Sequence, residues 1–340
     1  MANKIKTVYV VHHSHTDIGY TDLQERILLS QEDYIHSALQ LLRKPENQQF
    51  RWNCETWFCV RDFLKNADEQ LRAELFERMR NEQIGFSANY LNFTDVADGH
   101  ALNTVMDEMT DILDAQDIPH ETAMFADING ISMGYRNLLL DHGVKFLYTN
   151  IHCHHGMYPL YQNQNAYFWE DERGRRLLVW NGEHYNLGNA LGICPDEEYI
   201  KELIRQGHHP DRIELLRDKL KEYVDDCEKH DYNYDFLVIS VSGVYFDNAP
   251  PNDEILRMME QYNSAFSKES GIELKMVSLQ ELYRAIAPKL ENAPVYCGDL
   301  TDWWAHGIGS TPYPVKHYRD AQYRYHLCRR LDEAAFEKIS

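Results

Sequence analysis

Short apolar runs, then polar clusters, then segments with apolar residues about every 3.6 positions recur along the chain, which is the βα alternation of a parallel sheet. The first unit carries the pattern most fully. Thr7 to Val11 reads as a strand, His12 to Thr21 as a polar turn, and Asp22 to Lys44 as a helix with Leu23, Ile27, Ile35, Leu39 and Leu42 as its apolar stripe. Thr21 or Asp22 offers a cap for that helix, and Pro45 lies just beyond its end. Further strands are predicted at Phe50 to Cys54, Ile84 to Leu91, Thr122 to Ala126, Val144 to Thr149, Phe236 to Ser242 and Ile272 to Val277, about seven in all. Between several of them lie helical patterns, such as Leu102, Val105, Met106, Met109, Ile112 and Leu113, or Leu256, Met259 and Tyr262. Ala166 to Trp169 and Leu177 to Trp180 flank the charged turn Glu170 to Arg176 as an inserted β-hairpin. Such an α/β pattern closes most economically as a seven-stranded parallel β/α barrel, although an open doubly wound sheet gives much the same one-dimensional signal.

Composition narrows the function classes. No internal repeat, low-complexity tract or Pro/Gly/Ser linker offers a seam, so the 340 residues are expected to form one continuous unit. Lys and Arg number 34 against 54 Asp and Glu, a formal charge of -20 that repels phosphate backbones and anionic lipid, so neither nucleic acid nor membrane is an expected partner. No run reaches the roughly 18 apolar residues of a membrane span, and the N-terminal stretch lacks a secretory h-region. A soluble, cytoplasmic protein is the expectation. The 7 cysteines are scattered without a CxxC pair and read as reduced packing residues.

The polar clusters follow strand ends, where α/β folds gather functional loops. In HHSHTDIGYTD, residues two apart in an extended segment point the same way, so His15 and Asp17 present an imidazole and a carboxylate to one side, as two ligands of one divalent ion would. A histidine simply held by its neighbouring aspartate is the other reading. In MFADINGIS, Asp127 ends an apolar strand and is aimed at the mouth of a barrel, or else caps the helix starting near Met133, a task Ser132 could take instead. In YTNIHCHHGMYP, His152, His154 and His155 lack an accompanying carboxylate or cysteine spacing, which favours substrate-contacting or exposed histidines over a metal site. SGVYFDNAPPND offers Tyr245 and Asp247 as proton donors, or an Asx turn. Trp303 and Trp304, beside Asp299, Asp302 and His306, suit stacking on a sugar face or burial in a core.

Together these motifs resemble the N-terminal catalytic domain of glycoside hydrolase family 38, the zinc-dependent α-mannosidases. HSHTDIGYT, FADINGIS, AYFWEDERGRRLLVW and the spaced residues of DWWAHGIGSTPYPVKHYR carry the resemblance, in order, over nearly the whole chain. It implies a distorted TIM-like barrel over residues 1–315 and the start of a following helical domain at 316–340, where Tyr318 to Ile339 looks like a first helix. It implies one zinc ion on His15, Asp17 and Asp127, with Asp127 also the nucleophile of a retaining α-glycosidase acting on α-mannosides or a related glycan. Tyr20, Asn129, His152, Tyr185, Trp303 and Trp304 are the expected substrate contacts, Tyr20 standing where the family usually has tryptophan. Two departures stand out. Gly243, Val244, Tyr245 and Phe246 replace the family's Gly-Asp-Asp-Phe-like stretch, which leaves Asp247 as the expected acid and Tyr245 as the weaker choice, since a phenol with a pKa near about 10 donates poorly at neutral pH. The His-His-Asp motif that supplies the family's fourth ligand does not occur before Ser340, so a truncated chain, His306 or water is expected to account for the fourth position. A metal-dependent carbohydrate deacetylase is the rival enzyme, disfavoured because no HxxxH pair stands beside a strand end. A carbohydrate-binding relative without catalysis is the rival from outside the enzymes.

Overall fold

The structure is a computed structural model that describes residues 4–18, 21–92, 96–127, 131–151, 163–194, 197–243, 248–300 and 306–336. Among the described residues ten strands are laid down in chain order: β1 (Thr7–Ser14), β2 (Trp52–Cys54), β3 (Ile84–Phe86), β4 (Thr122–Asp127), β5 (Phe146–Ile151), β6 (Asn165–Glu170), β7 (Arg176–Gly182), β8 (Phe236–Val241), β9 (Glu273–Met276) and β10 (Val295–Tyr296). Helices α1 (Gln24–Leu42), α2 (Trp57–Asn66), α3 (Glu69–Arg80), α4 (Gly99–Asp114) and α5 (Met133–Asp141) separate the first five strands. After β7 come α6 (Leu187–Ala190), α7 (Glu197–Arg205) and α8 (Arg212–Lys229), then α9 (Glu254–Ser270) and α10 (Leu279–Ile286) on either side of β9, and α11 (His306–Ser310), α12 (Pro312–Leu331) and α13 (Glu333–Phe336) at the end.

Every predicted strand forms, but among the described residues the ladders do not close into one seven-stranded barrel. They make two five-stranded sheets, one ordered β3-β2-β1-β8 with β9 also on β1, the other β10-β6-β7-β5-β4. The edge of β1 is shared, with β9 pairing Thr7 to Val10 and β2 pairing His13 and Ser14. At the two seams isolated backbone and side-chain hydrogen bonds stand in place of a ladder. Beyond β3, Ala88 N–H donates to the Thr122 carbonyl at 2.8 Å and Ser87 Oγ to the Met124 carbonyl at 3.1 Å. Between β5 and β8, Tyr148 meets Ser240 at 2.9 Å and Ser240 donates to Asn150 Oδ1 at 2.9 Å. The predicted hairpin also differs from expectation: β6 and β7 pair antiparallel, but β7 runs parallel to β5, so it belongs to the sheet instead of standing apart from it.

Alternation along the strands divides the core in two. Val8 and Val10 of β1 pack with α1, α2 and α9 residues such as Leu39, Val60 and Met259, whereas Tyr9 and Val11 face an inner cluster with Met124, Tyr148, Trp180 and Val238. Strands buried on both faces explain the near-continuous apolar runs. Helix α1 buries Ile27, Ile35, Leu39 and Leu42 as expected, but Leu23 is 65% exposed and stands at the N-cap position. Asp22 accepts the adjacent Leu23 N–H at 2.7 Å and the Arg26 guanidinium at 3.5 Å, and the predicted side-chain cap does not form. Helix α12 begins at Pro312, ahead of the Tyr318 start expected, and buries none of its residues. It is tethered by His326 Nε2 to Asp98 Oδ2 at 2.8 Å. Among the described residues no helix is long and apolar enough to cross a membrane.

Candidate metal centre

Strand β1 runs out at Ser14, so His13 and His15, two apart, both fall on the side of the inner cluster that Tyr9 and Val11 define. Parallel pairing of His13 with Asn53 and Ser14 with Cys54 sets Glu55, the first residue past β2, beside them. Its buried carboxylate spans both imidazoles. Oε1 accepts from His15 Nδ1 at 2.8 Å, from Thr16 N–H at 3.1 Å and from Asn92 Nδ2 at 2.6 Å, while Oε2 lies 2.7 Å from His13 Nδ1. His13 Nε2 is 3.0 Å from the Tyr185 carbonyl oxygen, and the Tyr185 ring stacks on His15 with centroids 4.2 Å apart and planes 14° from parallel. Gln31 Nε2 donates to the His15 carbonyl at 3.1 Å, so the ring and the backbone of His15 are both held.

Asp17 follows on the same side, its Oδ1 3.4 Å from His15 Nε2. Its backbone N–H donates to Asn248 Oδ1 at 2.9 Å, which ties this turn to the loop after β8. Gly243 and Pro250 approach closely: a methyl at Gly243 would sit 1.4 Å from the Pro250 carbonyl oxygen, so only glycine fits there.

Asp127 arrives from the other sheet. Alternation would place it with Ala123 and Phe125 in the outer cluster, yet its backbone turns left-handed, with φ at 68°. Aspartate tolerates that region better than most residues, though at a cost that commonly marks functional positions. The result is that ligand atoms of His15, Asp17 and Asp127 all lie within 4.8 Å of one another. Ser132 caps α5 by accepting from Tyr135 N–H at 3.0 Å, so the cap that sequence offered as Asp127's other reading is filled by its neighbour.

Electrostatics separate the buried histidines. Burial opposes charge on His15, but the Glu55 carboxylate and then Asp17 outweigh it and raise its pKa well above 6.5. Burial alone would push the Glu55 carboxyl up; His15 and then His13 hold it down at about 2. His12, on the opposite face, is driven down to about 3, chiefly by burial. One imidazole nitrogen and two carboxylates suit a divalent cation such as zinc, with a position left for water or substrate. The donor set fits, because Glu55 occupies His15 Nδ1 and leaves Nε2 on the side of Asp17.

Residues 6–299 match the Glycosyl hydrolases family 38 N-terminal domain. The chain belongs to that family. An α-mannosidase structure from Enterococcus faecalis V583 superimposes with a TM-score of 0.65 at 16% identity, over 87% of this chain and 31% of that one. A 4-α-glucanotransferase from Thermococcus litoralis gives 0.51 at 11% identity, over 89% of this chain and 43% of that one. At such identities the likeness concerns the fold, and the chain spans less than half of either protein. No curated protein matches it.

Of the residues singled out in sequence for this family 38 domain, the fold brings together His15, Asp17, Asp127 and Tyr185. Tyr185 is only 4% exposed and backs the His15 ring. Tyr20, Asn129, His152, Tyr245, Asp247, Trp303 and Trp304 lie outside the described residues, as does the side chain of His306. Sequence reasoning missed Glu55, Asn92 and Asn248. Glu55 carried a usable signal, a carboxylate directly after a predicted strand, whereas nothing distinguishes Asn92, and Asn248 offered only an Asx turn.

Proposed function

We propose that this chain forms the catalytic core of a zinc-dependent retaining α-glycosidase acting on α-mannosides or a related glycan. The convergence of His15, Asp17 and Asp127 from separate sheets carries the reading. Together the three would hold one zinc ion, which when bound supplies a fixed point for two vicinal hydroxyls of the sugar. Asp127 would hold the ion through one carboxylate oxygen and act as the nucleophile through the other. That oxygen attacks the anomeric carbon as the glycosidic C–O bond breaks, and the leaving oxygen takes a proton from an acid, for which Asp247 is the first candidate and Tyr245 the second. Water then attacks the glycosyl ester on Asp127, giving its proton back to the same group, and the sugar leaves with retained configuration. Tyr185 steadies the His15 ring from behind, while Tyr20, Asn129, His152, Trp303 and Trp304 are the proposed sugar contacts.

Metal analysis of chelator-stripped and zinc-reconstituted protein, paired with hydrolysis of an aryl α-mannoside, tests this. The expected outcome is zinc-dependent aryl release that Asp127→Asn lowers by at least about 1000-fold, the scale of losing a nucleophile. Release of acetate from acetylated sugars instead would move the chain to the deacetylases. Sugar binding with neither reaction would leave a binding protein.

A further inference from the structure

We infer that Glu55 is a positioning residue for the metal centre, a carboxylate whose task is to fix the proton of His15 on Nδ1 and so present Nε2 as the ligand atom. This rests on the metal reading above and deepens it.

The geometry allows Glu55 little other use. Its side chain is fully buried, and Oε1 already receives His15 Nδ1, Thr16 N–H and Asn92 Nδ2. A neutral imidazole carries one ring proton, and its place is decided by the acceptor it meets. Both ring nitrogens face a carboxylate, Nδ1 at 2.8 Å from Glu55 and Nε2 at 3.4 Å from Asp17, and the shorter, fully buried contact takes the proton, so the lone pair falls on Nε2. The orientation is held as well as the tautomer. Glu55 Oε2 contacts His13, His13 Nε2 reaches the Tyr185 carbonyl, and the Tyr185 ring lies flat against His15, which closes a loop of contacts around the imidazole. Asn92, which donates to Glu55, approaches the Ala126 N–H through Oδ1 at 3.4 Å, the residue before Asp127. The clamp therefore links both sheets that contribute ligands. Carboxylate partners of metal-bound histidines raise ligand basicity and typically account for about 10- to 100-fold in metal affinity.

The test is a zinc competition titration against a chromophoric chelator on the unaltered chain, Glu55→Gln and Glu55→Ala, with His15→Asn as the reference for a lost ligand. Glu55→Ala is expected to weaken zinc by about 10- to 100-fold, and Glu55→Gln, which keeps an acceptor oxygen, by less. Equal affinity in all three Glu55 forms would overturn the proposal. Because removing a buried carboxylate can cost the fold, a second measurement uses the unaltered protein. Two-bond nitrogen–proton correlation of the zinc-saturated chain should show the His15 proton on Nδ1 and none on Nε2, and the reverse pattern would overturn the assignment. Absence of zinc uptake by the unaltered chain would instead strike the metal reading. The ring spectrum of the metal-free protein, at a pH where His15 is neutral, then decides the clamp alone, a proton on Nδ1 supporting it and a proton on Nε2 refuting it.

Discussion

On the outer face of β1, His12 sits with Val8 and Val10, its ring edge against Phe50, its Nδ1 3.1 Å from the Val241 carbonyl and its Nε2 3.0 Å from the Asn252 N–H. On the inner face, His15 is as deeply buried but meets the Glu55 and Asp17 carboxylates. One histidine is driven down to about 3 and the other well above 6.5. Burial is the first influence on both and acts in the same direction, so the difference comes from the partner. A carbonyl dipole offsets part of the desolvation, and a full anion at hydrogen-bond distance more than offsets it. The backbone contacts also fix the His12 tautomer, with a proton donated from Nδ1 and the Nε2 lone pair spent on Asn252, so this ring has no atom left for a ligand.

The contrast breaks most sharply under substitution to asparagine, which keeps a donor near the Nδ1 position and removes Nε2. His15→Asn should weaken zinc by at least about 100-fold, while His12→Asn should leave it within about twofold, as read by chelator competition. Comparable losses at both positions would mean that the two faces are not chemically distinct.

Acid stability is the next largest effect. The pKa of His12 is depressed on folding, so the unfolded chain takes up its proton from pH 6.5 downward while the native ring resists until about 3, and stability falls over that window. At pH 5 the loss is about 2 kcal/mol. Glu55, also depressed, costs stability only below 4.5, and His15, whose pKa is raised, keeps its full contribution below 6.5 and loses it on the alkaline side. Denaturant unfolding of the metal-free chain between pH 6.5 and 5 should therefore show a slope that His12→Asn removes. An unchanged slope would place the acid sensitivity elsewhere.

The smallest effect sharpens the same division. Ser14 shares the outer parity of His12, and its Oγ accepts the buried Trp52 indole N–H at 3.1 Å. Ser14→Ala should lower unfolding stability by about 1–2 kcal/mol through the stranded indole, with zinc affinity unchanged although the position adjoins a ligand. A drop in zinc affinity would show that the two faces are mechanically coupled.

Much of the first βα unit was legible because its information is periodic. The apolar run of β1, the stripe of α1 and the two-residue spacing of His15 and Asp17 each follow from local geometry. The cap of α1 was misjudged because several polar residues near a helix start compete, and tertiary packing chose a start at which Leu23 occupies the cap position. Among the described residues the ladders leave the expected barrel unclosed for a related reason: strand count and order do not say whether neighbouring edges meet by ladder bonds or by side chains such as Ser87 and Ser240.

The chain's own pattern thus determined which segments are strands, which residues share a face, and that an imidazole and a carboxylate emerge together from the first strand. Only the tertiary structure decided that Glu55 stands beside that imidazole, because sheet pairing joins segments with no shared periodicity. It alone decided that Asp127 faces the same point, because the left-handed turn at that residue reverses the side its position in the strand would give it, and a single departure of this kind leaves no trace in hydrophobic spacing.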